Sequence, residues 1–143
     1  MFEGGFLIKD KNRQGEVYER LRLKGHIPIS AYIDNTKKSL IVFNTPSCWD
    51  CHGWKLGEFL AMGKAIISTP ITNELPYPLI HRQNIYIINS KEELYKAVDL
   101  LIEDHALRTS LAYIIHSGFI SGYQNRYGDN LKPPTNVYHR MTA

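Results

Sequence analysis

A chain of 143 residues with 43% hydrophobic and 22% charged residues has the size and make-up of a single globular domain, unlike a fibrous or disordered protein. Its formal charge of +3 leaves anionic ligands open, but the lysines and arginines are scattered and form no dense basic run, so nucleic-acid binding finds no support. The opening MFEGGFLIKDKNR places Glu3 inside a very short apolar stretch, with no small-residue cleavage site after it. No apolar run approaches the roughly 20 residues of a membrane helix. A cytoplasmic protein is expected, touching the inner membrane face at most peripherally.

Residues 1–8 suggest a strand bent at Gly4-Gly5, followed by a polar, turn-like stretch over 10–15. Over 14–24, Val17, Tyr18, Leu21 and Leu23 recur at roughly helical spacing and Gly25 stands at the stop, which predicts an amphipathic helix. The run 39–44 (SLIVFN) is short, continuously apolar and rich in β-branched and aromatic residues, and it ends at Thr45-Pro46-Ser47. It predicts a buried parallel strand. Over 54–62, Leu56, Phe59, Leu60 and Met62 share one helix face, and Gly63 closes the helix. Further strands are predicted at 65–68 (AIIS) and 84–88 (NIYII), separated by the proline-punctuated loop 73–78. Ser90 and Glu93 match a capping box, and Leu94, Ala97, Val98, Leu101 and Ile102 form the stripe of the helix it opens. A last helix from about Asp104 carries Leu107, Leu111, Ile114, Ile115 and Phe119 inward, ahead of a polar tail at 128–143. No internal repeat or low-complexity tract interrupts this order.

Short apolar strands alternating with amphipathic helices imply an α/β fold with a Rossmann-like, doubly wound parallel sheet, filling one domain over 1–127. Such sheets bind ligands beyond the carboxyl ends of their strands. The loop after SLIVFN lies at such an end and holds the densest polar chemistry of the chain: Cys48, Trp49, Asp50, Cys51, His52, Gly53, Trp54, Lys55 and Glu58.

The stretch NTPSCWDCHGWKLGEFLAMGKAIISTPITNELP resembles the donor-binding segment of GT-B glycosyltransferases of the "glycosyl transferases group 1" type, and most of all a bacterial subgroup that assembles surface polysaccharides. Residues 58–67 (EFLAMGKAII) align with its second part without a gap, and the likeness covers about 39–110. The resemblance implies the nucleotide-sugar-binding half of an enzyme that transfers a hexose-type sugar to a glycan or lipid-linked acceptor. It implies no metal and no cofactor other than the nucleotide-diphosphate sugar itself as donor substrate. The acceptor-binding half finds no counterpart, so a truncated GT-B domain is expected. Such a chain would be a fragment, a subunit that pairs with an N-terminal GT-B domain, or a non-catalytic nucleotide-sugar-binding module, inactive alone. The catalytic residues stay unassigned, as do sugar, base and stereochemistry.

The same resemblance gives Glu58 a role on the ribose, where a carboxylate near a helix start accepts hydrogen bonds from two vicinal hydroxyls. Asp50 falls at an acidic position that reaches the donor sugar, although the family more often has glutamate there and aspartate has the shorter reach. Amides over Gly53, Trp54, Lys55 and Leu56 sit at a helix start, where the dipole favours a diphosphate. Lys55 adds a point charge and Trp54 a stacking surface for the base. Asn73 and Glu74 correspond to a segment that lines the donor pocket, and His52 lies beside it as a candidate for proton transfer. Each has a plainer rival: Glu58 and Lys55 as solvated helix residues, Trp54 as core, His52 as a loop residue satisfied by backbone, Asn73 and Glu74 as turn formers.

Cys48-Trp49-Asp50-Cys51-His52 also spells C-x-x-C-H, the pattern of covalent c-type haem attachment. The missing export signal and the strand and helix predicted on either side weigh against it. With two cysteines and one histidine a structural zinc set is one ligand short, and a redox dithiol has no support from its flanks. Two free, reduced thiols are the expectation.

Overall fold

The structure, a computed structural model, describes Glu19 and residues 25–75 and 77–127, with side chains omitted at 116, 119, 120 and 122–127. The expected strand at 1–8, most of the expected helix at 14–24 and the tail from 128 lie outside the described residues. The chain divides into two compact units, Met1–Lys38 and Ser39–Ala143.

In the first unit, helix α1 spans Ile29–Lys38. Pro28, with its fixed φ, precedes it, and the Tyr32 amide donates to the Pro28 carbonyl at 3.0 Å. Lys37 and Lys38 occupy the last turn, where cations meet the negative end of the helix dipole. Nothing in the apolar spacing anticipates this helix, because Ile29, Tyr32 and Ile33 are followed only by polar residues.

The second unit is an α/β body around a three-stranded parallel sheet in the order β1-β2-β3. Strand β1 is Ile41–Asn44, β2 is Ala65–Ser68 and β3 is Tyr86–Ile87. Ile41 faces Ala65 and Asn44 faces Ser68 in the first pair; Ile67 faces Tyr86 in the second. Both outer strands are shorter than their apolar runs. Leu40 lies outside β1 and is exposed, as is Phe43 within it, so β1 is buried on one side only. In 84–88, Asn84 belongs to a turn: its side-chain amide donates to the Pro78 carbonyl and its Oδ1 accepts the Ile80 amide.

The alternation of strand side chains divides the core in two. On one face Val42 and Ile66 pack with Leu56, Phe59, Leu60, Ile85 and Ile115; on the other Ile67 packs with Ile88, Ala97, Leu101 and Leu111. Helix α2 (Trp54–Ala61) supplies the first cluster and α3 (Lys91–Glu103) the second. The long helix α4 (His105–Tyr127) contributes Ile115 to one and Leu111 to the other. A central strand covered by helices on both faces is compatible with a Rossmann-like fold.

Helix ends follow the sequence signals. Gly63 has φ 59, and the bonds Lys64 N–H to Phe59 O and Gly63 N–H to Leu60 O complete a Schellman stop for α2. Ser90 Oγ accepts the Glu93 amide at 3.1 Å, while Glu93 Oε2 accepts the Asn89 amide at 2.7 Å, one residue before the usual capping-box donor. Asp104 Oδ1 caps α4 by accepting the Leu107 amide at 2.8 Å. Ile102 and Ile114, expected inward, are exposed, each lying at the rim of its helix's apolar stripe. The side chain of Phe119 lies outside the described residues.

Lys64 is buried at the amino end of β2, and desolvation lowers its pKa from the ordinary 10.5. Between the folded pKa and 10.5 the unfolded chain binds more protons, so this lysine adds stability as pH rises through that window and costs stability below it. Wild type measured against Lys64→Met in urea should therefore gain relative stability as pH climbs toward 10.5; a difference independent of pH would refute the desolvation account. Leu101→Ala, at a fully buried site, should lose about 2–5 kcal/mol in the same assay, and Ile102→Ala beside it no more than about 0.5 kcal/mol.

Candidate functional site

The carboxyl ends of β1 and β2 are joined by side chains as well as by backbone. Asn44 and Ser68, partners in register, are both fully buried, and the Asn44 amide donates to Ser68 Oγ at 2.9 Å. Ser68 Oγ in turn donates to the Thr69 carbonyl at 2.8 Å. Asn44 Oδ1 is buried with no protein partner, a cost the fold accepts at this edge. This pair was not singled out from sequence; an amide closing an otherwise apolar strand run was its only signal.

Beyond β1 the chain enters the loop 45–53, closed by a tight turn. Trp49 (φ 59, ψ 35) and Asp50 (φ 55) are consecutive left-handed residues, and the Cys51 amide donates to the Cys48 carbonyl at 3.2 Å. These positive φ values are those of a type I′ turn, which favours Asn and Gly and strains tryptophan. Two further bonds brace it: Ser47 N–H to Cys51 O at 2.9 Å, and Asn73 Nδ2–H to Asp50 O at 2.7 Å. The second ties the loop after β1 to the loop after β2. Cys48 and Cys51 are free and exposed on this turn.

After the turn, Gly53 opens α2 without a side-chain cap. The Leu56 amide bonds to the Gly53 carbonyl at 3.1 Å, so of the expected anion-binding amides this one is already engaged. Alongside the helix runs an open concavity of about 510 Å³ lined by His52, Gly53, Trp54, Leu56, Gly57, Glu58, Leu60, Ala61 and Leu75. Its walls are largely apolar and open to solvent, with Glu58 and His52 as the titratable side chains. Trp54 stands at its mouth, 92% exposed, which settles against a core role.

Of the residues expected to act together, His52, Gly53, Trp54, Leu56 and Glu58 thus line one concavity. Lys55 is exposed on the helix start and does not line it; Asp50 and Asn73 meet at the adjoining turn; Glu74 is exposed in the loop after β2. His52 Nε2 is buried with no protein partner, so proton transfer or iron ligation through that nitrogen requires the ring to turn. Among the described residues no three His, Cys, Asp or Glu side chains are grouped to hold a metal ion, and no helix is long and apolar enough to cross a membrane.

Gly57, with Leu60, Ala61 and Leu75, lines the concavity without having been assigned to it from sequence, and Gly57 is the one that packing does not explain. It lies inside α2, where glycine costs about 1 kcal/mol against alanine, yet a Cβ there would meet nothing within 4 Å. Packing gives no reason for it, whereas a side chain at this position would project into open space beside the concavity. Compared with protein-family models, curated proteins and solved structures, the chain matches none.

The left-handed turn is open to direct test. Trp49 is 93% exposed, so Trp49→Gly removes strain and almost no packing and should raise unfolding free energy by about 1 kcal/mol. A loss of stability in denaturant titration would mean instead that the indole packs in the folded state.

Proposed function

We propose that this chain binds a nucleotide-diphosphate sugar in the concavity beside α2, as the donor-binding part of a GT-B-type glycosyltransferase that moves a hexose-type sugar to a glycan or lipid-linked acceptor. The observation that carries the reading is the meeting of Glu58 with His52, Gly53 and Trp54 in one largely apolar concavity, reached from the carboxyl ends of parallel strands. The likeness of 39–110 to the donor-binding segment of that family, read from sequence, points to the same ligand.

In this reading the Glu58 carboxylate accepts hydrogen bonds from the two ribose hydroxyls, and Trp54 covers the base at the mouth. The uncapped start of α2, with the amides of Trp54 and Lys55, receives the diphosphate, and the exposed Lys55 ammonium closes over it. Leaving-group charge is then met by amides and a side-chain cation. Asp50, Asn73 and Glu74 stand toward the sugar. Transfer itself takes place only when an acceptor-binding domain, on the same or a partner chain, closes over this edge; the isolated chain binds donor without turnover.

Calorimetric titration with uridine- and guanosine-diphosphate hexoses tests this. Wild type should bind one of them, and Glu58→Ala should weaken it at least about 100-fold, the loss of two hydrogen bonds to a charged acceptor. Gly57→Leu should block the same ligand while leaving the far-ultraviolet spectrum intact and raising, not lowering, the thermal midpoint. Unchanged affinity in both variants would remove the concavity from consideration.

A further inference from the structure

The tight turn over residues 48–51 holds a feature that nucleotide binding does not use. Trp49 is 93% exposed, lies outside the concavity, and has a left-handed backbone that penalises a non-glycine residue. Asp50 beside it, also left-handed, is exposed. An indole in water at a strained position contributes nothing to folding, so its place is explained by what it meets. The bonds Ser47 N–H to Cys51 O and Asn73 Nδ2–H to Asp50 O keep the turn in this form rather than letting it relax.

We infer that Trp49, with the Asp50 carboxylate and the Asn73 side chain, forms a stacking platform for a neutral hexopyranose ring. The chemistry fits one ligand class. An indole face is the negative side of a quadrupole and attracts the weakly positive C–H face of a sugar. The Asp50 carboxylate, next in the chain, and the Asn73 amide, bonded to the Asp50 carbonyl, supply an acceptor and a donor for ring hydroxyls on the same turn. The Asp50 charge repels a polyanion or an anionic membrane, and no cluster of cations on this turn offsets it. The sugar comes either from the donor or from the acceptor glycan, and both present the same C–H face. The assignment rests on the nucleotide-sugar reading for why a sugar arrives at this edge and shares Asp50 and Asn73 with it, but its stacking face, Trp49, lies outside the concavity.

The chain contains two tryptophans, so the indole N–H resonances of the ¹⁵N-labelled full chain are readily assigned with Trp49→Phe and Trp54→Phe. Titrations use uridine and guanosine diphosphate alone, their glucose, galactose, N-acetylglucosamine and mannose conjugates, and free maltotriose, mannotriose and N-acetylchitotriose. The Trp49 resonance should stay still with bare diphosphates and move with a sugar-bearing ligand. Movement only with the conjugates assigns the donor sugar, and movement with a free trisaccharide assigns the acceptor. Trp49→Ala should weaken that ligand about tenfold and Trp49→Phe far less, while bare diphosphate affinity is unchanged in both. A Trp49 resonance unmoved by every saccharide, or one that follows protein concentration instead, overturns the platform even where diphosphates bind. Saccharide binding without any diphosphate binding upholds the platform and fails the nucleotide reading.

Discussion

Strand β2 has no solvent-facing residue, and the arrangement of the second unit follows from that. A parallel strand buried on both faces needs an apolar layer above and below it. Ile66 points into the layer of Leu56, Phe59 and Leu60, and Ile67 into the layer of Ala97 and Leu101. The connection from β1 to β2 runs through α2 on one face, and α3 returns to cover the other. With β1 and β2 parallel and in register, their carboxyl ends emerge side by side at Asn44 and Ser68, and the loops after them leave on the same edge.

That edge is where the fold departs from its own rules of stability. Asn44 leaves a carbonyl oxygen buried and unpartnered, Trp49 and Asp50 take left-handed backbone, Gly57 weakens a helix it does not need to weaken, and α2 begins without a cap. Elsewhere the helix ends are finished carefully, with a Schellman stop at Gly63 and side-chain caps at Ser90, itself on this edge after β3, and at Asp104. Local costs of this kind often accompany functional sites, and their number at this edge is in keeping with the binding role proposed for it. Two costs lie at the other edge: buried Lys64 at the amino end of β2, and left-handed Arg82 (φ 62) in the turn before β3.

Much of this could be read from the residues. Short apolar runs rich in isoleucine and other β-branched or aromatic residues announced the strands, Gly63 and the Ser90–Glu93 pair announced helix ends, and the polar loop after SLIVFN marked the carboxyl edge of the sheet. What escaped has physical reasons. An apolar run does not say where pairing stops, so Leu40 was placed in a strand it does not join. Periodicity does not resolve the rim of a stripe, which is why Ile102 and Ile114 were placed inward. Helix α1 carries too few apolar residues for a periodic signal and begins behind a proline. A cavity lined by a missing side chain, as at Gly57, leaves only a glycine in the sequence. The strained turn over Trp49 was invisible because tryptophan is not a residue that such a turn prefers, and a lone aspartate is too weak a turn signal.

The account stands on Glu58 as the ligand-facing carboxylate of the α2 concavity. A crystal structure of the chain soaked with the nucleotide-diphosphate hexose that binds in solution tests it most directly. The predicted result is a ribose whose two hydroxyls lie within hydrogen-bond distance of the Glu58 carboxylate, with the diphosphate over the start of α2. A nucleotide seated elsewhere, or a Glu58 side chain turned away from it, would contradict the account.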